Sequence, residues 1–345
     1  MNGSAVQASY HGAVSMRILF VGDVMLGRLV NETLKSMPPT YPWGNTLPLF
    51  RASDLRIGNL ECVLSDRGVP WDRTQKTFHF RTDAKNEECL KAAGFNFLSL
   101  ANNHTLDYTD EALLDMFTHL DKAGVRYGGA GADADQASRP VLISTGGITT
   151  AFIAFTDNEP DWEATDQRPG IYFVPPDQSD ERAMHLFDLI SETKTKADLV
   201  IVSAHWGSNW GSQPEPEHPP FARKLVDSGA DIVLGHSCHV FRGIEIYRDR
   251  LILYSTGDFI DDYAVDKRER NDESFIFVAE TDGNRIAGLR LHPTVISHMQ
   301  ARLASPRDAV VIADRMQKLS DRFGTLTQWN EEKRCLEILL QKGNG

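Results

Sequence analysis

The chain is short of cysteine: Cys62, Cys89, Cys238 and Cys335 are the four in 345 residues, widely spaced and without a Cys-x-x-Cys pair. That spacing suggests neither a disulfide framework nor a thiolate zinc knuckle. A reducing compartment is the simpler reading, and a cytoplasmic location is expected. Positive charge is also in short supply, with 36 Lys and Arg against 48 Asp and Glu and a formal net charge of -12. Such a balance disfavours broad contact with phosphate backbones or anionic membranes, so no nucleic-acid partner is expected, although a local basic pocket stays open. No apolar run reaches the roughly 18 residues of a membrane-spanning helix, so no span is expected. Residues 1–15 are polar and rich in Gly, Ser and Ala, lack the basic and apolar regions of a signal peptide, and read as a flexible leader. Internal repeats and low-complexity tracts are absent.

What the sequence has in quantity is short apolar runs bounded by Gly, Asp or Asn. They alternate with segments of helical period such as Glu111 to Ala123 and Glu181 to Thr195. This alternation predicts an α/β fold with buried strands. After Gly235 the strands come close together, at Ile244 to Tyr247, Leu251 to Tyr254, Ser274 to Ala279 and Arg285 to His292, which predicts a mixed sheet or two packed sheets. The Pro-rich stretches Asp157 to Gln178 and Gly207 to Pro220 read as loops near strand ends. One catalytic domain over residues 16–300 is expected, with residues 301–345 forming a helical cover. In that cover an amphipathic helix after Ser305 would turn Val310, Val311, Ala313, Met316 and Leu319 inward, and a shorter helix would follow.

Several apolar runs end in groups able to bind metal. Ile18 to Val21 leads into Asp23, Phe97 to Leu100 into Asn102-Asn103-His104, Leu199 to Ser203 into His205, and Asp231 to Gly235 into His236 and His239. Strand ends of an α/β sheet are where its sites are built. With Glu61 as a further carboxylate, the set mixes oxygen and nitrogen without thiolate, which suits Mn, Fe or Zn in one or two ions. Asp23 could alternatively cap a helix beginning near Leu26. Glu61 could instead pair with Arg28 or Arg81, and Asn102 reads as a turn residue beside a functional Asn103. Cys238 reads as a small buried spacer, Asp107 as the group that orients His104, and Asp261 and Asp262 as solvated loop acids. Lys76, His79 and Arg81 alternate, so in a strand Lys76 would face away from the other two. His79 and Arg81 are candidates for recognising an anion, Lys76 is a further substrate-binding candidate, and Trp206 and Trp210 are candidates for a pocket wall.

The segments Gly22-Asp23-Val-Met-Leu-Gly27-Arg28, Gly58-Asn59-Leu60-Glu61, Ser99-Leu-Ala-Asn102-Asn103-His104, Ala204-His205-Trp206-Gly207, Gly229-Ala230-Asp231 and Gly243-Ile244-Glu245-Ile246-Tyr247 occur in order from about Arg17 to Tyr263. In that succession the chain resembles the CapA poly-γ-glutamate capsule biosynthesis proteins, which look like a branch of the calcineurin-like metallophosphoesterases. The resemblance implies a two-sheet sandwich flanked by helices, with metals at the strand ends. It implies Asp23, Asn103, His205, His236 and His239 as ligands, with Glu61 as a further one, and His104 as the acid; Asp107 and Arg28 are expected beside His104 in the catalytic set.

The chain departs from the metallophosphoesterase pattern in several places. Met25 stands where a histidine is expected and Asn59 where a bridging aspartate is expected, so Glu61 would have to supply that charge or only one metal is held tightly. The final histidines are separated by Ser237 and Cys238 rather than by one residue. Many relatives have Asn at Asp258, whose carboxylate could support a histidine. The expected function is a metal-dependent hydrolase acting on a phosphoester or a γ-glutamyl-type amide, in a small molecule or a γ-glutamyl polymer. The alternative is a noncatalytic accessory protein of poly-γ-glutamate synthesis or export. The sequence leaves the oligomeric state and the pathway open.

Overall fold

The computed structural model describes residues 15–338 and 340; the expected leader, residues 1–15, lies outside them except for Ser15. Two sheets form the frame. In the larger, Arg17–Val24 runs parallel to Leu55–Leu60, which is followed by Phe97–Ser99 and Arg126–Gly128 on one side. On the other side Arg17–Val24 pairs antiparallel with Glu273–Asp282, and that strand with Arg285–Ser297. The six-stranded second sheet has Ile148–Thr156, Leu199–His205, Ile232–His236 and Arg250–Leu253 in parallel, with antiparallel strands at its two edges.

The side-chain period of two along each strand divides the apolar residues between two faces. Ile18 and Phe20 turn toward the second sheet and meet Phe152, Ile201, Ile232 and Leu253 in the core between the sheets. Leu19 and Val21 turn outward, to the layer containing Leu90, Leu113 and Met116. Val200 and Val202 likewise face outward, onto the helices Glu181–Lys194 and His218–Asp227 through Ile190 and Phe221. A helix layer therefore covers each outer face, which is the two-sheet sandwich expected from the resemblance.

The tail differs from expectation. Pro306–Ser320 is a helix capped by the Ser305 hydroxyl, which accepts from the Asp308 amide. Its buried stripe is Ala309, Ile312, Ala313, Met316 and Leu319, while Val310 and Val311, expected on that side, are exposed. The expected shorter helix is a hairpin: Thr327–Asn330 pairs antiparallel with Cys335–Ile338, which adds to the larger sheet along Arg285–Ser297. The period of two of a strand runs through it: Leu336 and Ile338 are buried on one face, while Glu337 on the other is only partly covered.

Close backbone approach shapes the strand ends. A Cβ on Gly22 would collide with the Gly257 carbonyl oxygen, and one on Gly235 with the Tyr254 carbonyl oxygen. Both glycines precede site residues, Asp23 and His236. The turn after Ile232–His236 carries Ser237 at φ 102° and His239 at φ 58°, a left-handed stretch that non-glycine residues adopt at an energetic cost. Among the described residues, no helix is long and apolar enough to cross a membrane.

Candidate metal centre

The parallel strands of both sheets end at one edge, and their ends bring the centre together. Asp23, the next-to-last residue of its strand, is buried; its Oδ1 accepts from Asn59 Nδ2 at 2.8 Å and its Oδ2 from the Ser237 amide at 3.3 Å. His205 and His236 sit opposite one another in register on adjacent strands, with their Nδ1 atoms 3.1 Å apart. Ligand atoms of Asp23, His205 and His236 all lie within 4.8 Å of one another. A second group, Asp23, Glu61, His239 and Asp258, meets the same limit, so Asp23 is the corner common to both.

The second group is rich in carboxylate and poor in hydrogen-bond donors. Among the described residues, neither oxygen of Glu61, nor Oδ2 of Asp258 or of Asp261, all buried, has a hydrogen-bond partner. Leaving such groups unpaired is costly, and ionised ones more so. Burial pushes Asp23 up to about 7 and Asp261 up to about 6, and holds Glu61 and Asp258 well above the usual carboxylate range. Neighbouring acids add to the last two. Burial also pushes His236 down to about 3 and His239 to about 4, and it holds His205 well below the ordinary imidazole value, helped by His236 beside it. Protonated acids and neutral imidazoles at this density form a donor set that a divalent cation would satisfy, and the mixture of O and N suits Mn, Fe or Zn.

The remaining strand end supplies the candidate acid. His104 Nδ1 lies 2.6 Å from Asp107 Oδ2, its ring stacks on Phe80 at 4.0 Å, and its Nε2 stands 4.0 Å from Glu61 Oε1. With Asp107 on Nδ1, the Nε2 edge faces the centre, as the orienting role expected of Asp107 requires. Asn102 spends its amide on Asn59 Oδ1 and the Leu60 carbonyl, and its carbonyl accepts from the His104 amide. It acts as the turn residue, which leaves Asn103 free to reach inward, its Oδ1 3.0 Å from His205 Nε2.

Three candidates fall elsewhere. Residues 76–80 form a loop rather than a strand, so the inferred alternation does not hold. Lys76, at 6% side-chain exposure, turns inward and donates to the Asn103 carbonyl and to Glu159, with Asp107 3.6 Å away. His79 lies 2.9 Å from the Trp71 carbonyl and Arg81 stacks over Tyr108 at 4.1 Å, so local contacts occupy both. Trp206 is a core residue: it is fully buried, stacks on His218 and donates to the Tyr254 carbonyl. Trp210 is half exposed, and its ring stands 5.9 Å from that of His239.

The alternatives at Glu61 and Asp23 also resolve. Arg28 pairs with Asp262 rather than Glu61. The helix Arg28–Leu34 has its Leu29 amide bound by Asp262 Oδ2, so Asp23 does not cap it. Asp258 lies 3.0 Å from His239 Nδ1, the supporting contact expected, but it also belongs to the ligand group itself. Asp261 is buried instead of solvated, and the Asp262 side chain is covered. The sequence reading missed both because Asp-Asp beside a Tyr looks like an exposed loop; the preceding strand Asp258–Ile260, parallel to the first strand, carries them inward. Cys238 is buried, as expected, with its thiol directed at the Val240 carbonyl.

Comparison with known proteins shows the family and the fold. Residues 17–263 match the model for the bacterial capsule synthesis protein PGA_cap. A Mycobacterium tuberculosis protein named "Probable polyglutamine synthesis accessory protein" is 35% identical over 82% of this chain and 77% of its own length. The capsule biosynthesis protein CapA of Bacillus anthracis is 32% identical over 72% of this chain and 60% of its own length. The PGA biosynthesis protein CapA of Bacillus subtilis is 32% identical over 70% and 62%. Among solved structures, a phosphatase from Mycoplasma pneumoniae aligns with a TM-score of 0.51 and 16% identity, over 82% of this chain and 94% of that one, and so shares the fold. The chain belongs to the bacterial capsule synthesis protein family PGA_cap.

Proposed function

We propose that this protein is a metal-dependent hydrolase that cleaves a phosphoester or a γ-glutamyl-type amide. The observation that carries the reading is Glu61, a fully buried carboxylate with neither oxygen hydrogen-bonded among the described residues, its ligand atom within 4.8 Å of those of Asp23, His239 and Asp258. Asp23, His205 and His236 would hold one ion, with the Asn103 side-chain oxygen Oδ1 beside them; Asp23, Glu61, His239 and Asp258 would hold a second. When bound, such ions polarise the scissile group and lower the pKa of water toward neutrality. His104, once protonated on both ring nitrogens, would give its Nε2 proton to the leaving group, with Asp107 accepting from Nδ1 and favouring the cation against the burial that lowers its pKa. Lys76, clamped on the Asn103 carbonyl, fixes the turn that presents Asn103 and His104.

A noncatalytic accessory role is favoured by a different observation. The Asn59 amide is committed to Asp23 and Asn102, so it offers no bridge where the metallophosphoesterase pattern has aspartate. The M. tuberculosis relative also carries an accessory name. Hydrolysis of an aryl phosphate monoester, an aryl phosphate diester and a γ-glutamyl peptide, each with Mn, Zn, Mg and Fe, separates the readings. Turnover of any of them that is lost in His104→Ala and His236→Ala supports the hydrolase. Silence on all of them in a metal-loaded wild type leaves the accessory role.

A further inference from the structure

We propose that Arg28 is the receptor for an oxyanion of the substrate that lies outside the bond being broken, a refinement that rests on the hydrolase reading. Four observations converge on it. Arg28 has φ 50°, a left-handed backbone that its side chain disfavours and that nothing in a simple helix start requires. Its guanidinium is anchored by one edge only: Nε lies 3.2 Å from Asp262 Oδ2, while among the described residues neither Nη group hydrogen-bonds to the protein. The buried Asp262 carboxylate is itself fixed by the Leu29 amide, so the anchor is rigid. Finally, the guanidinium stands within 5.5 Å of the Phe80 ring, 6.0 Å of Tyr263 and 5.9 Å of Phe78.

Those rings place the arginine relative to the chemistry. Phe80 stacks directly on His104, and Tyr263 packs edge-on to His239. Arg28 is therefore one aromatic ring away from the candidate acid and one ring away from a candidate ligand. Its side chain is 40% exposed where the ligand groups are buried, which puts it at the mouth of the centre. The inner cation, Lys76, is committed to Asn103, Glu159 and Asp107 and has no such opening. A guanidinium held by Nε and flanked by aromatic faces offers its two Nη groups as a fork that matches a carboxylate or phosphate in bidentate fashion. Because a ring separates it from the centre, the group it takes is a second anion of the substrate. The α-carboxylate of a γ-linked glutamate and a phosphate remote from the scissile bond share this chemistry.

Calorimetric titration with γ-glutamylglutamate, with its α-carboxamide analogue and with inorganic phosphate tests the assignment. Wild type, Arg28→Gln and Arg28→Lys would each be measured with and without Mn, and Mn per chain would be counted in the same samples. The expected result is tenfold or greater weakening of γ-glutamylglutamate binding in Arg28→Gln, with a smaller loss in Arg28→Lys. Wild type should bind the carboxamide analogue as weakly as the variant binds the acid, and Mn content should stay equal in all three proteins. Loss of phosphate binding instead, with peptide binding unaffected, assigns the receptor to a phosphate-bearing substrate. Equal affinity of wild type and Arg28→Gln for both ligands, or binding of neither by wild type, overturns the proposal. Absence of Mn from a wild type whose ligand binding still depends on Arg28 would sink the hydrolase reading and leave the receptor standing.

Discussion

Replacing Asp23 by asparagine in chelator-treated protein should stabilise it in mild alkali and destabilise its metal-loaded form. Burial pushes the Asp23 carboxyl from its ordinary value near 3.8 to about 7. A carboxyl raised on folding contributes its full stability below the unfolded value and loses it as pH rises through the folded one. Between these values the folded chain holds a proton that the unfolded chain has released, and by pH 8 the penalty is on the order of 4 kcal/mol. Asparagine removes that penalty and keeps an oxygen for Asn59 Nδ2. Its amide would then face the Ser237 N–H, at a cost of about 1–2 kcal/mol. The net gain at pH 8 is therefore about 2 kcal/mol, or a rise of about 3 °C in Tm, falling to roughly nothing by pH 5. Scanning fluorimetry from pH 5 to 8.5, with EDTA and then with saturating Mn, reads both limbs. Wild type should gain about 3 kcal/mol from a metal present at a hundred times its Kd, and Asp23→Asn should gain little. A variant that is destabilised at pH 8 in EDTA, or that keeps the wild-type response to Mn, would refute the argument.

On the acid side the sign reverses. His236 and His239 are depressed to about 3 and about 4, so their contribution is present above the ordinary imidazole value and is lost as pH falls toward 4. Together with the raised acids, this sets the chelated protein's stability maximum at about pH 5 to 6, checked by urea midpoints across pH. Trp206→Ala should cost about 3–5 kcal/mol through the cavity it leaves, with Mn per folded chain unchanged, measured by urea denaturation and elemental analysis. Gly22→Ala should fail to give a folded chain, because its methyl group meets the Gly257 carbonyl; circular dichroism decides this. Lys76→Met should keep its metal but lose turnover, since the Asn103 carbonyl loses its clamp, and kcat measured beside metal content separates the two.

The parts of the fold legible in the sequence were those where one pattern dominates. The continuous apolar runs at Ile18 to Val21 and Leu199 to Ser203 are strands because both faces are buried, one by the partner sheet and one by helices. The hairpin Thr327–Asn330/Cys335–Ile338 escaped because it is an edge addition with polar residues on one face, a pattern too short to separate from a helical turn. At the centre, the ligand types at strand ends were readable because the chain reaches its site there. The misplacement of Trp206 and the exchange of roles among Lys76, His79 and Arg81 were not, because side-chain direction in the loop 76–80 depends on Trp71, Tyr108 and Glu159, which are distant in sequence. Asp261 was hidden for the same reason. A carboxylate reads as solvated until the strand that buries it is known.

The central claim is that the centre holds divalent metal through its buried acids and histidines, and metal content per chain tests it most directly. Wild type and His236→Ala, loaded equally with Mn, Fe or Zn and freed of excess, would be compared by plasma mass spectrometry. The account predicts about two equivalents in wild type and a clear fall in the variant, with both chains folded by circular dichroism. A folded wild type that retains no metal under any loading would contradict it.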